Sequence, residues 1–344
     1  MGITGSSSEA ACVRALVTGG GGFVGRGIVE RLLARGDEVV VLARGAYPDL
    51  ESRGASLVRA DLTDAVKVAS ACRGCDVIYH VAARAGIWGG YDLFHRPNVD
   101  GTRNVLAAAR AAEVPRLVYT SSPSVTFDGR DAENADERLP YPARFENAYS
   151  STKAQAEQMV LEAARQGELA VTALRPHLIW GPGDNHLIPR VVKAARQGRL
   201  VQVGDGENLV DITYIDNVVD AHILAGDALT RAHPANGRAY FVSNGEPVSL
   251  WRWINQLLER LGIAPVRRRI SVTAARHLGG VLESVHRFLR LPGEPRMTRF
   301  LAAQLGTSHW YDISAIRRDL GYSPRVGVDE GLERLVAWLR STGS

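Results

Sequence analysis

Short apolar runs alternate with longer stretches of helical periodicity through the first half of the chain. Val13–Thr18, Glu38–Ala43, Ser56–Ala60, Asp76–Ala83, Pro115–Ser122 and Leu169–Arg175 read as strands, each bounded by polar or glycine-bearing turns. Phe23–Arg35 spaces Phe23, Val24, Ile28, Leu32 and Leu33 as one helical face. A helix capped by Thr63 is expected to run to about Cys72, another from Asn98 to Glu113, and an amphipathic one from Tyr149 to Gln166. Two stretches read as loops: Arg84–Pro97, with Trp88, Tyr91 and Phe94 among glycines, and the charged Asp128–Phe145. Strands alternating with helices predict a parallel sheet covered on both faces, with right-handed crossovers.

The rhythm breaks after Pro176. Gly181–Asp184 is a turn, Leu187–Gln197 and Trp251–Leu261 are helical, Asp211–Ile215 leads into a helix over Asp216–Gly226, and Tyr240–Val242 is the last strand of the main sheet. Residues 272–290 set Ala274, Leu278, Val281, Leu282, Val285, Phe288 and Leu289 on one helical stripe, with Arg276, Glu283, Arg287 and Arg290 mostly off it. Such a stripe is ordinarily core; a substrate lid or a membrane-surface helix is the alternative. The expected fold is α/β, a Rossmann-type doubly wound parallel sheet with a smaller C-terminal substrate-binding part. Residues 1–12 form a flexible N-terminus and 13–180 the nucleotide-binding domain. Residues 181–344 are mainly the substrate part, with 211–226 and 238–243 returning to the first.

Glycines mark where a ligand belongs. Gly19, Gly22 and Gly25 fall between the first strand and the first helix, so the backbone can turn tightly and bring helix N–H groups to a pyrophosphate. An acidic residue at the end of the second strand would accept hydrogen bonds from the adenosine ribose, but Ala43 and Arg44 stand there. Nothing repels a 2′-phosphate and Arg44 can pair with one, so NADP(H) is favoured, with NAD(H) as the second choice. Tyr149 and Lys153, four residues apart, share one helix face. An ammonium beside a phenol favours the phenolate. With a serine from the Thr120–Ser122 strand end, the pair suits exchange of a proton during carbonyl/alcohol interconversion.

Composition narrows the setting. The chain has 344 residues, 45% hydrophobic and 23% charged, and no uncharged apolar run of the ~18 residues that would span a bilayer. Three cysteines cannot all pair, which fits a reduced cytoplasmic protein. Cys72 and Cys75 form a C-x-x-C at a helix-to-strand turn, the wrong place for redox chemistry, and no metal site is expected. The net charge is +4, and ten arginines against three glutamates lie between Arg252 and Arg299. That segment could face an anionic substrate, a membrane, a partner enzyme or only solvent. No nucleic-acid-binding motif is present.

These motifs resemble the extended short-chain dehydrogenase/reductase family. They are Thr18-Gly19-Gly20-x-Gly22-Phe23-x-Gly25, Asp61-Leu62, His80-x-Ala82-Ala83, Asn98-Val99-x-Gly101-Thr102, Tyr119-Thr120-Ser121-Ser122, Tyr149-x-x-x-Lys153, Leu174-Arg175-Pro176 and Tyr214-Ile215-Asp216-Asn217-Val218. Within it the chain is most similar to the 3β-hydroxysteroid dehydrogenase-like branch, and its later segments resemble bacterial 2-alkyl-3-oxoalkanoate reductases of olefin biosynthesis. The resemblance implies Tyr149 as acid/base, Lys153 as its pKa tuner and Ser122, directly before Pro123, as the catalytic serine. It places Gly19, Gly22, Phe23, Val24, Gly25, Asp61, Leu62, Ala82, Ala83, Pro176 and His177 along the cofactor, and Trp88, Ser122, Ser124 and Tyr149 near substrate. It further implies a homodimer. A hydrophobic β-keto acid reductase is the leading reading. A steroid alcohol dehydrogenase, a sugar-nucleotide epimerase or dehydratase, and an NADP-binding redox sensor remain as alternatives.

Overall fold

The apolar runs assemble as parallel strands because all but the edge strand Ser56–Arg59 are largely buried on both faces. A computed structural model describes residues 12–343, so the expected N-terminal lead lies, but for Cys12, outside the described residues. The main sheet has seven strands: β1 (Arg14–Thr18), β2 (Glu38–Ala43), β3 (Ser56–Arg59), β4 (Val77–His80), β5 (Arg116–Thr120), β6 (Ala170–Pro176) and β7 (Arg238–Val242). Their spatial order is β7-β6-β5-β4-β1-β2-β3, all parallel. Strand order therefore reverses beside β1, at the glycine turn, which is where such sheets open a ligand crevice.

Successive strand residues feed two separate cores. Val17, Val41, Tyr79 and Leu174 pack toward α1 (Phe23–Arg35) and Ile215–Ala228, whereas Leu16, Leu42, Ile78 and Ala173 pack toward α2 (Ala65–Cys72), α3 (Gly101–Ala111) and α4 (Ala148–Arg165). Helix α2 begins one residue later than expected. Asp64 caps it by accepting from Lys67 N (3.1 Å), while the Thr63 hydroxyl turns to Asp61 (2.8 Å). Cys72 and Cys75 are buried beside that helix end, where burial pushes the Cys72 thiol up to about 12.

Both expected loops carry regular structure. Tyr91–His95 is a helical turn, closed over the buried Phe94 and continued by a π-turn at Arg96–Asp100 before α3 starts. Ala132–Ala135 is a strand at one edge of a second, four-stranded sheet, beside His309–Tyr311. This second sheet also takes Leu209–Val210 and Val248–Ser249 and ties the later segments to the main domain.

The stripe expected as core on residues 272–290 faces outward. The helix Val272–Phe288 forms, here α5, but the residues it buries are Ala275, Gly279 and Glu283, while Leu278, Val281, Val285 and Phe288 are exposed. Small residues let the helix backbone sit against Thr298, where a Cβ on Gly279 would come within 2.5 Å of the Thr298 carbonyl carbon. Close approach, not hydrophobicity, chose the inner face.

Candidate active site

The glycine turn is built so that side chains are excluded. Gly19 has φ +70°, and a Cβ on it would lie 2.9 Å from Ala82 Cα. A Cβ on Gly25 would collide with the carbonyl oxygen of Gly19, which accepts from Gly22 N (2.9 Å). Helix α1 starts at Gly22 with no side-chain cap, so its first N–H groups are presented to an anion. A Cβ on Gly21 would fall inside the ring of Tyr47, which roofs the turn. Gly19, Gly22, Val24 and Gly25 therefore sit as the spacing required, and the cradle fits a dinucleotide pyrophosphate. Phe23 is half-buried beside Gly183.

A buried relay fixes the strand ends around this turn. Ala82 N donates to Thr18 Oγ1 (3.1 Å), Thr18 Oγ1 bonds His80 Nδ1 (2.8 Å) and His80 Nε2 bonds Thr102 Oγ1 (2.9 Å). The Thr102 hydroxyl donates to Asn98 O (2.6 Å), so it accepts from His80, which sets the hydrogen on Nε2. Burial pushes His80 down to about 3, which keeps the ring neutral. The Asn98 amide accepts from Arg84 N (2.7 Å) and donates to Thr152 Oγ1 (3.1 Å). It thereby couples the loop after β4 to α4, the helix that carries Tyr149 and Lys153.

At the far end of the crevice Arg44, Arg59, Ala60, Asp61 and Lys67 line an open cleft of 370 Å³. Asp61 accepts from Thr63 N (3.0 Å), which with Thr63 Oγ1 and the charge of Arg44 holds its carboxyl below the usual value. Three cations thus face one carboxylate. Leu62 is not open to a ligand through its side chain, which is buried against Gly101; its carbonyl accepts from Asn104 (2.9 Å).

Tyr149, Ser122 and Lys153 meet at the end of β5. Asn147 caps α4 by accepting from Ser150 N (2.7 Å), which sets Tyr149 in the first turn and Lys153 one turn further. Tyr149 is half-buried, with Ser122 as the polar side chain that acts on its hydroxyl. Burial raises its pKa and the neighbouring Ser122 hydroxyl opposes that rise. The Ser122 hydroxyl donates to Ser124 Oγ (3.0 Å) and accepts from Ser124 N (3.2 Å). Ser121 instead is held in the sheet by its N–H to Leu174 O (2.6 Å). Lys153 is 2% exposed; its ammonium donates to Thr120 O (2.6 Å) and lies 4.1 Å from the centre of the Tyr119 ring. Burial pushes it down to about 7, against the pull of Glu157.

Beneath Lys153 lies an ion pair that the motif reading did not use. Glu157 and Arg175 are buried and joined by two hydrogen bonds (2.6 and 2.9 Å), and the Tyr141 hydroxyl donates to Glu157 (2.7 Å). Burial alone would push Glu157 up, but Arg175 and Tyr141 hold it below the ordinary value. The signal was present in an arginine within an apolar strand and a glutamate four residues after Lys153.

Two expected residues stand apart. His177, directly after Pro176, is buried with Nε2 2.6 Å from His309 Nδ1 and its ring 5.4 Å from Tyr311. Its side chain is thus committed to the second sheet. Trp88 lines a 400 Å³ cavity with Ile87, Tyr91, Ser151, Arg287 and Phe300, whose lining reaches Ala148 but does not include Ser122, Ser124 or Tyr149.

A doubly wound sheet with a glycine cradle at its switch point and a Tyr/Lys pair beside it is the build of an extended short-chain dehydrogenase/reductase. Residues 16–272 match the 3-beta hydroxysteroid dehydrogenase/isomerase family, and the chain belongs to it. The chain is 49% identical to the 2-alkyl-3-oxoalkanoate reductase of Stenotrophomonas maltophilia, over 94% of this chain and 99% of that protein. It is 47% identical to the enzyme of that name from Shewanella oneidensis, over 94% and 86%. The dTDP-glucose 4,6-dehydratase of Streptomyces venezuelae, solved with NAD bound, superposes with TM-score 0.75 at 27% identity, over 95% and 97% of the two chains. The protein is therefore a nicotinamide-dependent dehydrogenase/reductase. Among the described residues, no helix is long and apolar enough to cross a membrane.

Proposed function

We propose that this protein reduces the keto group of a hydrophobic 2-alkyl-3-oxoalkanoate to the 3-hydroxy acid, with NADPH. The observation that carries the reading is the grouping of Tyr149, Ser122 and Lys153 at the end of β5, with burial raising the pKa of the phenol so that it stays protonated. A neutral phenol is the acid that reduction needs. In the reaction the Tyr149 hydroxyl gives its proton to the ketone oxygen while Ser122 holds that oxygen. The hydride for the carbonyl carbon comes from the dihydronicotinamide when the cofactor is bound. The buried Lys153 ammonium stabilises the tyrosinate left behind, and its fixed bond to Thr120 O keeps it from straying into solvent.

The cationic cleft of Arg44, Arg59 and Lys67 supports NADP(H) over NAD(H), because three positive side chains suit a 2′-phosphate. The cavity beside α4 has a mixed lining, in which Ile87, Trp88 and Phe300 offer apolar surface to a chain and Arg287 a charge that suits a carboxylate. Near-full-length identity to two reductases of this name supports the substrate class. A homodimer through the outer faces of α3 and α4 belongs to the same reading.

The test is NADPH oxidation followed at 340 nm, a wavelength set by the cofactor, with 2-alkyl-3-oxoalkanoates and ketosteroids in parallel. Oxidation with the β-keto acids, and NADP⁺-linked oxidation of the 3-hydroxy acids, is expected. Turnover of ketosteroids alone would overturn the substrate assignment.

A further inference from the structure

Exposed large apolar side chains are scattered singly over most of this surface, as is normal, but not on α5. Of ten such residues among those described, Leu278, Val281, Val285, Phe288, Leu289 and Leu291 fall within one short segment, with Phe288 87% exposed and Val281 59%. A row of that density marks a contact surface. The row is fixed outward. The opposite face of the helix is locked by the close approach of Gly279 to Thr298 and by Glu283, which accepts from Arg299 N (2.7 Å) and Arg299 Nε (2.9 Å).

The charges around the row are mainly cationic, and the exposed Glu294 just beyond Leu291 is paired with Arg190 (3.1 Å). Arg267, Arg268 and Arg269 lead into the helix and are exposed, and Arg290 follows it, also exposed. The only carboxylate between Pro265 and Gly293 is Glu283, and it is buried in its pair with Arg299. A fixed helix with an outward row of Leu, Val and Phe and an excess of arginines beside it matches the interface of an anionic bilayer. There the apolar chains enter the acyl boundary and the guanidinium groups meet phosphates.

We infer that α5 seats this protein on an anionic lipid surface. The same helix turns Arg287 and Glu283 into the 400 Å³ cavity beside α4. Where the substrate is the hydrophobic acid proposed above, it would pass from the bilayer to that cavity without crossing water. That consequence rests on the proposed function; the docking itself does not.

Co-sedimentation of the full chain with vesicles tests the docking without any turnover. Vesicles of phosphatidylcholine with about one-third phosphatidylglycerol should capture the protein at low salt, and phosphatidylcholine alone should capture much less. Each arginine removed from Arg267–Arg269 should weaken capture by about fivefold. Val281→Asp with Phe288→Asp should weaken it at least about tenfold while NADPH binding stays unchanged, which shows that the variant is folded. Protein left in the supernatant with anionic vesicles, or equal capture of the double variant, overturns the inference. So does concentration-dependent self-association abolished by the double variant in the absence of vesicle capture, which would assign the row to a second copy of the chain.

Discussion

The Lys153 ammonium donates to the Thr120 carbonyl at 2.6 Å, so the end of β5 and the catalytic face of α4 are pinned together through a buried charge. A buried charge favours its neutral form, and Lys153 is pushed down to about 7 from an ordinary value near 10.5. Between those two values the unfolded chain binds a proton that the folded chain does not. Stability from this group therefore rises with pH from about 7 to about 10.5 and is least below 7. Lys153→Met, which keeps the length without the charge, should raise the melting temperature relative to wild type at pH 6. The gap should shrink by pH 9. Thermal melts at the two pH values check this, and a gap that widens toward pH 9 contradicts it.

Tyr149→Phe removes the proton donor and leaves the cradle untouched. Turnover should fall by about 10²-fold or more, the usual reach of a positioned acid. The dissociation constant for NADPH, from fluorescence titration, should hold within a few-fold.

Glu157→Gln should act on both stability and chemistry. It leaves Arg175 buried without its counter-charge, a change that costs about 3–5 kcal/mol when a buried pair is broken. Urea unfolding measures that loss, and adding Arg175→Met should recover much of it. Glu157 also supports the charge on Lys153. The alkaline limb of the rate profile should therefore move to lower pH in Glu157→Gln, a shift that a purely structural role would not give.

Arg44→Ala combined with Lys67→Ala should separate the two cofactors. Each lost charge-assisted contact to a 2′-phosphate weakens NADPH by about tenfold. NADH, which has no such phosphate, should bind as before. Equal losses for both would remove the argument for NADP(H).

Periodicity and spacing carried much of the site. Gly19, Gly22 and Gly25 are needed by sterics that act within one turn, and Tyr149 and Lys153 share a face because a helix repeats every 3.6 residues. Those are local constraints, so they can be read along the chain. The preference for Ser122 over Ser121 came from the family resemblance, through the Pro123 that follows it, and not from local geometry. Asn98, Tyr47 and the Glu157–Arg175 pair had no assigned role, because their partners lie far along the chain or across the sheet. Asn98 acts through Arg84 and Thr152, and Arg175 through a helix and a strand brought together by β6. Likewise nothing in Asp128–Phe145 announced the strand Ala132–Ala135, whose partner His309–Tyr311 is the other half of its hydrogen bonding.

By itself, then, the sequence determined the seven strands and their order in the chain, the glycine cradle and the placing of the tyrosine and lysine, all consequences of short-range geometry. Tertiary structure alone decided which way α5 faces and what lies under Lys153. Hydrophobic spacing on residues 272–290 asks only for one apolar side and cannot say what covers it. The close approach of Gly279 to Thr298 and the pairing of Glu283 with Arg299 settled that by turning the small face inward and the Leu, Val and Phe row out. Burial from several directions lowers the Lys153 pKa, and that enclosure exists only once sheet and helix are packed.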